Sequence, residues 1–463
     1  MTGTRRSAVG ELAAAPVRPP TEVHVLSSGL RAALRPSRAN DIVALKVYLP
    51  MGPLHETPDE SGLSNLLQEM LLHGTLDRTE DAIQDALADL GAKLGTSAGG
   101  NYGSVSLRVA RGQLSGALDL LDEVLTRPAL AEEEAEKERV RVLNRIKAQD
   151  DSLLTAAFEQ FRETFYEGHP YHKPILGYPD TVPRLGTVQL REARARFFRH
   201  GALVVAAVGH FDPDDLLGRL ERLDLPGGEG VSADEPPGRV ALERSREVER
   251  RRDSQAAWFV LGFPAPSYVD PDYPAARLLD AVLGGSMNSR LFTELREKRS
   301  LAYQVSSFYN DQPSHSYLAG YIGTSPDKFD EAREAMLREF RRLADELVSE
   351  DELRRAQRYL HGTYIISAET NAAQASRLGR YELHGLGQDF GDRMLERIAT
   401  VTPSEVRALA ERWFGAYVLA AVRPGRGGHR RRGRSRLPPP PADEALAAAG
   451  GPQTERTRTE EVG

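Results

Sequence analysis

The sequence predicts a mixed fold of helices and sheets, of the α/β or α+β class, arranged in two similar domains. Strand-like runs cover residues 42–49, 104–109, 203–208, 257–263, 317–323 and 417–422. Long stretches with helical periodicity, such as 114–125 and 328–347, lie between them. Strands that alternate with long helices indicate sheets packed by helices.

The two-domain prediction also rests on a repeated pattern. Pro58 and Pro271 precede similar helices 213 residues apart, and Tyr102 and Tyr317 precede similar strands 215 residues apart. Chance similarity between alanine-rich helices is the alternative explanation. The order of the elements is the same in both halves, which favours an internal duplication.

Composition bounds the size of the fold and excludes some classes of partner. The chain has 463 residues, of which 40% are hydrophobic, enough for two or more cores. A formal net charge of -7 does not fit a nucleic-acid-binding protein, which would be strongly basic. The sequence has no cysteine, which excludes disulfides and thiolate metal sites and fits a cytoplasmic location.

No segment of the sequence predicts contact with a membrane. A spanning helix needs roughly 18 to 20 apolar residues, and no stretch of the chain approaches that length. The N-terminus carries Arg5 and Arg6 but no uninterrupted apolar run, since Glu11 breaks the only candidate. We therefore interpret it as a disordered leader and predict no signal peptide.

Changes in composition divide the chain into five segments. We predict a leader at 1–20, an N-terminal domain at 21–225, a linker at 226–239, a C-terminal domain at 240–424 and a disordered tail at 425–463. The tail holds five arginines between 430 and 436. They either contact an acidic partner or are only solvated.

The segment 62–75, GLSNLLQEMLLHGT, has an apolar helical face and ends in Gly-Thr. It resembles the signature of the pitrilysin/insulinase family of zinc peptidases, an inverted H-x-x-E-H motif on such a helix. In that motif the two histidines bind zinc and the glutamate is the general base that activates water. Here the histidine positions are Asn65 and Glu69, and the position of the base is Gln68. The family's third ligand, a glutamate on a later helix, falls on Arg145, 76 residues after Glu69.

These four residue types predict that the chain binds no zinc at this site and is inactive alone. Gln68 cannot take a proton from water, Asn65 is a poor ligand, and Arg145 would place a positive charge beside the metal ion. Glu69 and His73, four residues apart, could chelate a metal in a shifted site. The other interpretation is that Glu69 and Arg145 form an ion pair that fills the former zinc pocket, and we predict that pair.

The run 283–303, LGGSMNSRLFTELREKRSLAY, resembles the C-terminal half of the same family. The resemblance implies that Arg296 and Tyr303, seven residues apart, reach the substrate in the zinc site of an opposite half. A tyrosine hydroxyl can donate to the developing oxyanion, and an arginine can hold a substrate carbonyl. The alternative is a surface salt bridge for Arg296 and a core position for Tyr303. We predict a helix at 289–296, a turn at 297–300 and a strand at 302–308.

Two glycines precede this pair in the same run. Gly284 and Gly285 allow a close approach of the backbone. They form either a substrate-binding loop or only the end of a helix.

The resemblance covers about residues 21–424 and implies the class and the assembly of the fold. The class is α+β, with two similar domains from an internal duplication, each a mainly antiparallel sheet packed by helices. Together the two domains would form one half-shell of a clam-like chamber. Two half-shells enclose unfolded peptides, which bind as an added β-strand.

In heterodimeric bacterial members of this family, one subunit carries the zinc and the other carries only the Arg/Tyr pair. The resemblance therefore implies an auxiliary subunit of a zinc endopeptidase, with no cofactor of its own. Its partner would be a homologous chain with an intact motif and bound zinc. The alternatives are a non-enzymatic scaffold or peptide-binding protein and a self-sufficient protease with a remodelled metal site.

Overall fold

The structure, a computed structural model, describes residues 19–232 and 238–425. Most of the predicted leader, the middle of the predicted linker and the tail after Gly425, with its five arginines, lie outside the described residues. Within the described residues, no helix is both long enough and apolar enough to cross a membrane.

The described strands form two sheets, one in each predicted block. The first sheet contains β1 (Glu22–Val25), β2 (Arg31–Pro36), β3 (Ile42–Leu49), β4 (Lys93–Ala98), β5 (Gly103–Ala110) and β6 (Val204–Gly209). The second contains β7 (Arg246–Arg252), β8 (Ala257–Pro264), β9 (Gln304–Asn310), β10 (Tyr317–Thr324) and β11 (Val418–Pro424).

The two sheets share one topology. The first has the order β1-β2-β6-β3-β5-β4, and the second has the order β7-β11-β8-β10-β9. In each sheet one pair of strands is parallel, β2 with β6 and β7 with β11, and the other pairs are antiparallel. Without β1 the two orders correspond strand for strand. The predicted α+β class, with two similar and mainly antiparallel domains, is confirmed.

Helices cover the sheets. The first block contributes α1 (Leu63–Met70), α2 (Glu80–Asp89), α3 (Leu114–Thr126), α4 (Glu132–Asp151), α5 (Leu153–Phe165), α6 (Thr187–Phe197) and α7 (Pro213–Glu221). The second contributes α8 (Tyr273–Leu283), α9 (Phe329–Asp345), α10 (Glu350–Ile366), α11 (Asn371–Leu383), α12 (Phe390–Thr400) and α13 (Pro403–Trp413). A π-helical segment, Phe292–Lys298, precedes β9 and is called the π turn below.

Several helices begin at the capping residues that the sequence provides. The Ser349 hydroxyl accepts a hydrogen bond from the Glu352 N–H, and the Glu352 carboxylate accepts one from the Ser349 N–H, so α10 starts with a capping box. Thr79 caps α2 in the simpler way, by accepting a hydrogen bond from the Ala82 N–H. Such caps satisfy N–H groups that have no partner inside the helix.

The inner strands of each sheet are buried on both faces because alternate side chains meet different helices. In β3, Val43, Leu45 and Val47 point into the core of the first block, whereas Ala44 contacts α11. In the second sheet the side chains alternate in the same way. Phe259 packs into one core, and Val260 packs into another core, which contains α5.

Each block packs one of its helices on the sheet of the other block, an arrangement called the helix exchange below. α5 belongs to the first block in sequence but packs on β8 and β11 of the second sheet, with Phe158 and Phe161 in the shared core. α11 belongs to the second block but packs on β3 and β6 of the first sheet. A Cβ atom on Gly379 of α11 would lie 2.4 Å from the Tyr48 ring, so the close packing requires glycine there. The sequence did not predict this exchange.

The structure corrects the predicted elements around Arg296. The expected helix at 289–296 is largely the π turn, so Arg296 lies inside the turn rather than near the end of an α-helix. β9 begins at Gln304 rather than at 302, and Tyr303 directly precedes it. Leu295 and Leu301 are both buried, and the Leu301 N–H donates to the Leu295 carbonyl at 2.7 Å.

Candidate functional site

Helix α1, which carries the degenerate motif, is fixed at its N-terminus by a buried carboxylate. Glu56 accepts hydrogen bonds from the N–H groups of Gly62 and Ser64, at 3.1 and 2.7 Å. Gly62 has a φ of 96°, and a Cβ atom there would lie 2.7 Å from the Leu176 carbonyl oxygen. The helix therefore has one position against the rest of the domain, whether or not a metal binds.

The three former ligand positions meet at one point between α1 and α4. Arg145 Nη1 donates to Glu69 Oε1 at 2.6 Å, and Arg145 Nη2 donates to Asn65 Oδ1 at 3.2 Å. The predicted ion pair between Glu69 and Arg145 is confirmed. Since Asn65 joins the same guanidinium, all three positions are linked by hydrogen bonds within the chain.

Gln68 does not join this group. Its side chain is buried, and its Nε2 lies 2.9 Å from the Met51 sulfur. Its Oε1 has no hydrogen-bond partner within residues 19–232 and 238–425. A carboxylate in this place would be a charge buried beside a thioether, which costs more than a buried amide. The loss of the base is therefore consistent with the loss of the metal.

These residues do not fit a zinc ion. Zinc would need neutral or anionic ligands at the three convergent positions, and one of them is a guanidinium that already binds the other two. A fixed positive charge at this point opposes a dication. No reaction step can therefore be derived through a metal bound here.

His73, four residues after Glu69, contacts acidic residues other than Glu69. Its Nδ1 lies 2.7 Å from Glu80 Oε2, and its Nε2 lies 3.2 Å from the buried Glu138. Arg141 also donates to Glu138, at 3.1 Å. Burial raises the pKa of Glu138, but the hydrogen bonds from His73 and Arg141 outweigh it and lower the pKa overall.

His73, Glu80 and Glu134 have potential ligand atoms within 4.8 Å of one another. Two ligands of one tetrahedral zinc would be about 3.3 Å apart, given metal–ligand bonds near 2.0 Å. The 2.7 Å separation between His73 and Glu80 is instead the length of a charge-assisted hydrogen bond. Glu134 pairs with Lys137 at 2.9 Å. The group is best described as a protonated histidine between carboxylates, and it does not include Glu69.

The charge of His73 should make stability depend on pH. Hydrogen bonding to Glu138, together with Glu80 and against the effect of burial, raises the pKa of His73 from 6.5 to about 8. The folded state binds the proton more tightly, so the stabilisation is complete below about pH 6.5 and is lost as the pH rises through about 8. We expect a loss of about 1 kcal/mol in unfolding free energy between about pH 6 and pH 9, less than the full pKa difference would give, because the partly exposed Glu80 is screened by solvent.

Urea unfolding of the wild type and of His73→Asn at both pH values would measure this contribution. The difference in unfolding free energy between the two proteins should shrink at the higher pH. An equal difference at both pH values would show that His73 does not titrate in this range.

Arg296 and Tyr303 are presented to solvent. Arg296 is exposed, its side chain makes no hydrogen bond or ion pair with any described residue, and its guanidinium lies over the Phe292 ring at 4.9 Å from the centroid. The Tyr303 side chain is 63% exposed, and only its backbone N–H is bonded, to the Gly323 carbonyl at 2.9 Å. The alternatives of a surface salt bridge for Arg296 and a core position for Tyr303 are wrong.

The two glycines of the same run have a structural role. Gly284 ends α8, and a Cβ atom there would lie 2.1 Å from the Ser307 backbone nitrogen in β9. A Cβ atom on Gly285 would lie 2.9 Å from the Ala281 Cα. The helix-end interpretation accounts for both residues, and contact with a substrate stays a prediction.

Two neighbours of the candidate residues were not identified from the sequence. Phe292 lies four residues before Arg296, a spacing that suggests contact on any helix, but an aromatic at that place is equally typical of a core residue. Glu80 follows His73 by seven residues across an irregular loop, and no periodicity links them.

Two family profiles match the chain in succession. The profile described as "Insulinase (Peptidase family M16)" matches residues 31–178, and that described as "Peptidase M16 inactive domain" matches residues 187–360. The first match includes the degenerate helix, and the second includes the Arg/Tyr run.

Relatives and solved structures agree with the profiles. An "uncharacterized zinc protease" of Streptomyces coelicolor is 29% identical over 80% of this chain and 82% of its own length. One of Mycobacterium tuberculosis is 28% identical over 85% of this chain and 92% of its own length. The fold matches a peptidase M16 inactive domain from Pseudomonas fluorescens, with a TM-score of 0.82, 22% identity and coverage of 88% of this chain and 98% of that one. The chain therefore belongs to the insulinase family of peptidases, family M16.

Proposed function

We propose that this chain is a zinc-free auxiliary subunit of a cytoplasmic heterodimeric zinc endopeptidase. The partner, a homologous chain with an intact H-x-x-E-H motif, supplies zinc, water and base. This chain supplies Arg296, Tyr303 and half of a chamber for unfolded peptides. Tyr303 donates a hydrogen bond to the carbonyl oxygen that becomes negative, and Arg296 holds a neighbouring substrate carbonyl.

The observation that carries the proposal is the contrast between the two sites. The residues at the former zinc positions bind one another, with Arg145 joined to Glu69 and Asn65. Arg296 and Tyr303 are exposed, and their side-chain donors are free within the described residues. Side chains that meet no acceptor in their own chain are available to a substrate held by another.

A second candidate function, peptide binding without cleavage, is supported by the edge of the first sheet. Among the described strands, β4 pairs only with β5, and it packs beside α1. An extended peptide could add to this edge through main-chain hydrogen bonds. In the second block, Gly284 and Gly285 would let a bound peptide approach the backbone closely at the end of α8. If the chain has no zinc-bearing partner, this scaffold function is the one that remains.

Metal analysis and a peptidase assay separate the candidates. The chain is purified alone and together with a homologue from the same genome that has an intact motif, and each sample is tested with an internally quenched unstructured peptide. We expect the isolated chain to contain well under one zinc and to be inactive. The mixture should form a complex and cleave the peptide faster than the homologue alone.

Other outcomes would support one of the alternative functions. Stoichiometric zinc in the isolated chain, or cleavage by it, would establish a self-sufficient protease with a remodelled site. A chain that binds the peptide but neither binds the homologue nor raises its activity would be a scaffold or peptide-binding protein.

A further inference from the structure

The π turn fixes the backbone of Arg296 while leaving its side chain outside the core. The Arg296 carbonyl accepts hydrogen bonds from the N–H groups of Arg299 and Ser300, the latter at 3.2 Å. On either side the chain is anchored by the buried residues Leu295 and Leu301. The backbone position from which the Arg296 side chain extends is therefore fixed by the turn.

The side chain itself is held by a ring rather than by hydrogen bonds. The Arg296 guanidinium lies 4.9 Å from the centroid of Phe292, within the range of a cation–π interaction. The adjacent Lys298 pairs with Glu294 at 2.5 Å, so a carboxylate on the same turn is already occupied. Arg296 thus contacts an aromatic ring, and its side chain is bonded to no acceptor among the described residues.

The kind of contact decides which N–H donors of Arg296 stay free to bind a substrate. An ion pair would use the N–H donors of a guanidinium, since these lie in its plane and point at the carboxylate. An aromatic ring attracts the face of the group and leaves those donors free. A ring therefore orients the arginine without using the groups that would bind a substrate.

We propose that Phe292 is a positioning residue, which holds the Arg296 guanidinium above its ring with the N–H donors free for a substrate carbonyl. The inference rests on the proposed function for its consequence in catalysis, but the contact itself can be tested in the isolated chain. Phe292 touches neither the substrate nor the reacting atoms and acts only through Arg296.

The first experiment needs no partner. In the full chain labelled at arginine with ¹³C and ¹⁵N, the side-chain Hδ resonances of Arg296, assigned by their loss in Arg296→Lys, should be shifted upfield by the ring current. Phe292→Leu should return them to the position of a free arginine, and Phe292→Trp should keep them shifted. Lys298→Ala, a change on the same turn, should leave them unchanged. Resonances unaffected by Phe292→Leu would overturn the proposal.

The second experiment uses the complex with the zinc-bearing homologue. Phe292→Leu should lower kcat/KM by about 5-fold, the factor for loss of an exposed cation–π contact, and Phe292→Trp should retain most activity. In an Arg296→Ala background, Phe292→Leu should cause no further loss, whereas a merely structural role would lower the rate in both backgrounds. If Arg296→Ala is itself without effect, the role of Arg296 in the proposed function is wrong, and the resonances still decide the contact.

Discussion

Replacing Tyr303 with phenylalanine should slow peptide cleavage by the complex by about 100-fold or more, the usual cost of removing one oxyanion donor. The expected loss is in kcat, because the hydrogen bond strengthens as the carbonyl oxygen gains charge. Since the Tyr303 side chain is 63% exposed and has no partner in the described chain, the change should leave the unfolding free energy within about 0.5 kcal/mol of the wild type.

A matched control is available in Tyr417, a partly exposed tyrosine just before β11. Its hydroxyl donates to Glu247 at 2.8 Å, and Tyr417→Phe removes that hydroxyl without changing a candidate site residue. The control should keep the rate of the wild-type complex. Equal rates for the two variants would remove Tyr303 from the reaction.

A zinc site should return when the four motif positions are restored. The variant combines Asn65→His, Gln68→Glu, Glu69→His and Arg145→Glu. We expect it to bind roughly one zinc per chain, measured by metal analysis after dialysis, where the wild type binds well under one. The structural reason is that the three ligand positions already converge, as the 2.6 and 3.2 Å hydrogen bonds of Arg145 show.

The matched control keeps Arg145 and restores the other three positions. It has both histidines and the base but retains the guanidinium at the position of the third ligand. We expect its zinc content to stay close to that of the wild type, because the guanidinium opposes the metal charge. If this control bound as much zinc as the fourfold variant, the obstacle would lie in the histidine positions alone.

Local patterns predicted the strands and a fold of the α/β or α+β class, whereas the choice of α+β and the Glu69–Arg145 pair followed from the resemblance to the family. Apolar alternation defined the strands, and β3 has the predicted limits of 42–49. The pair followed from two residues with complementary charge at positions that a zinc ion would otherwise join. The partner of His73 could not be derived in this way, because the loop between α1 and α2 has no periodicity.

The π turn and the helix exchange were not predictable for a different reason. The run 289–296 has ordinary helical character, and nothing in its sequence marks the wider π turn at Phe292–Lys298. An amphipathic helix such as α5 shows in its sequence that one face is buried, but the sequence does not specify the sheet that covers it.

The exchange of α5 and α11 has a consequence for how the proposed chamber would admit a peptide. If the chain were cut within the linker, each fragment would keep a helix that belongs on the other's sheet and would expose an apolar sheet face. We therefore expect separately expressed halves to aggregate, and to regain a native form only when refolded together. A rotation of one block against the other would separate α5 and α11 from the sheets on which they pack. We therefore expect no hinge motion between the two blocks of this chain. In the proposed heterodimer, entry of a peptide would then require the two subunits to part from each other.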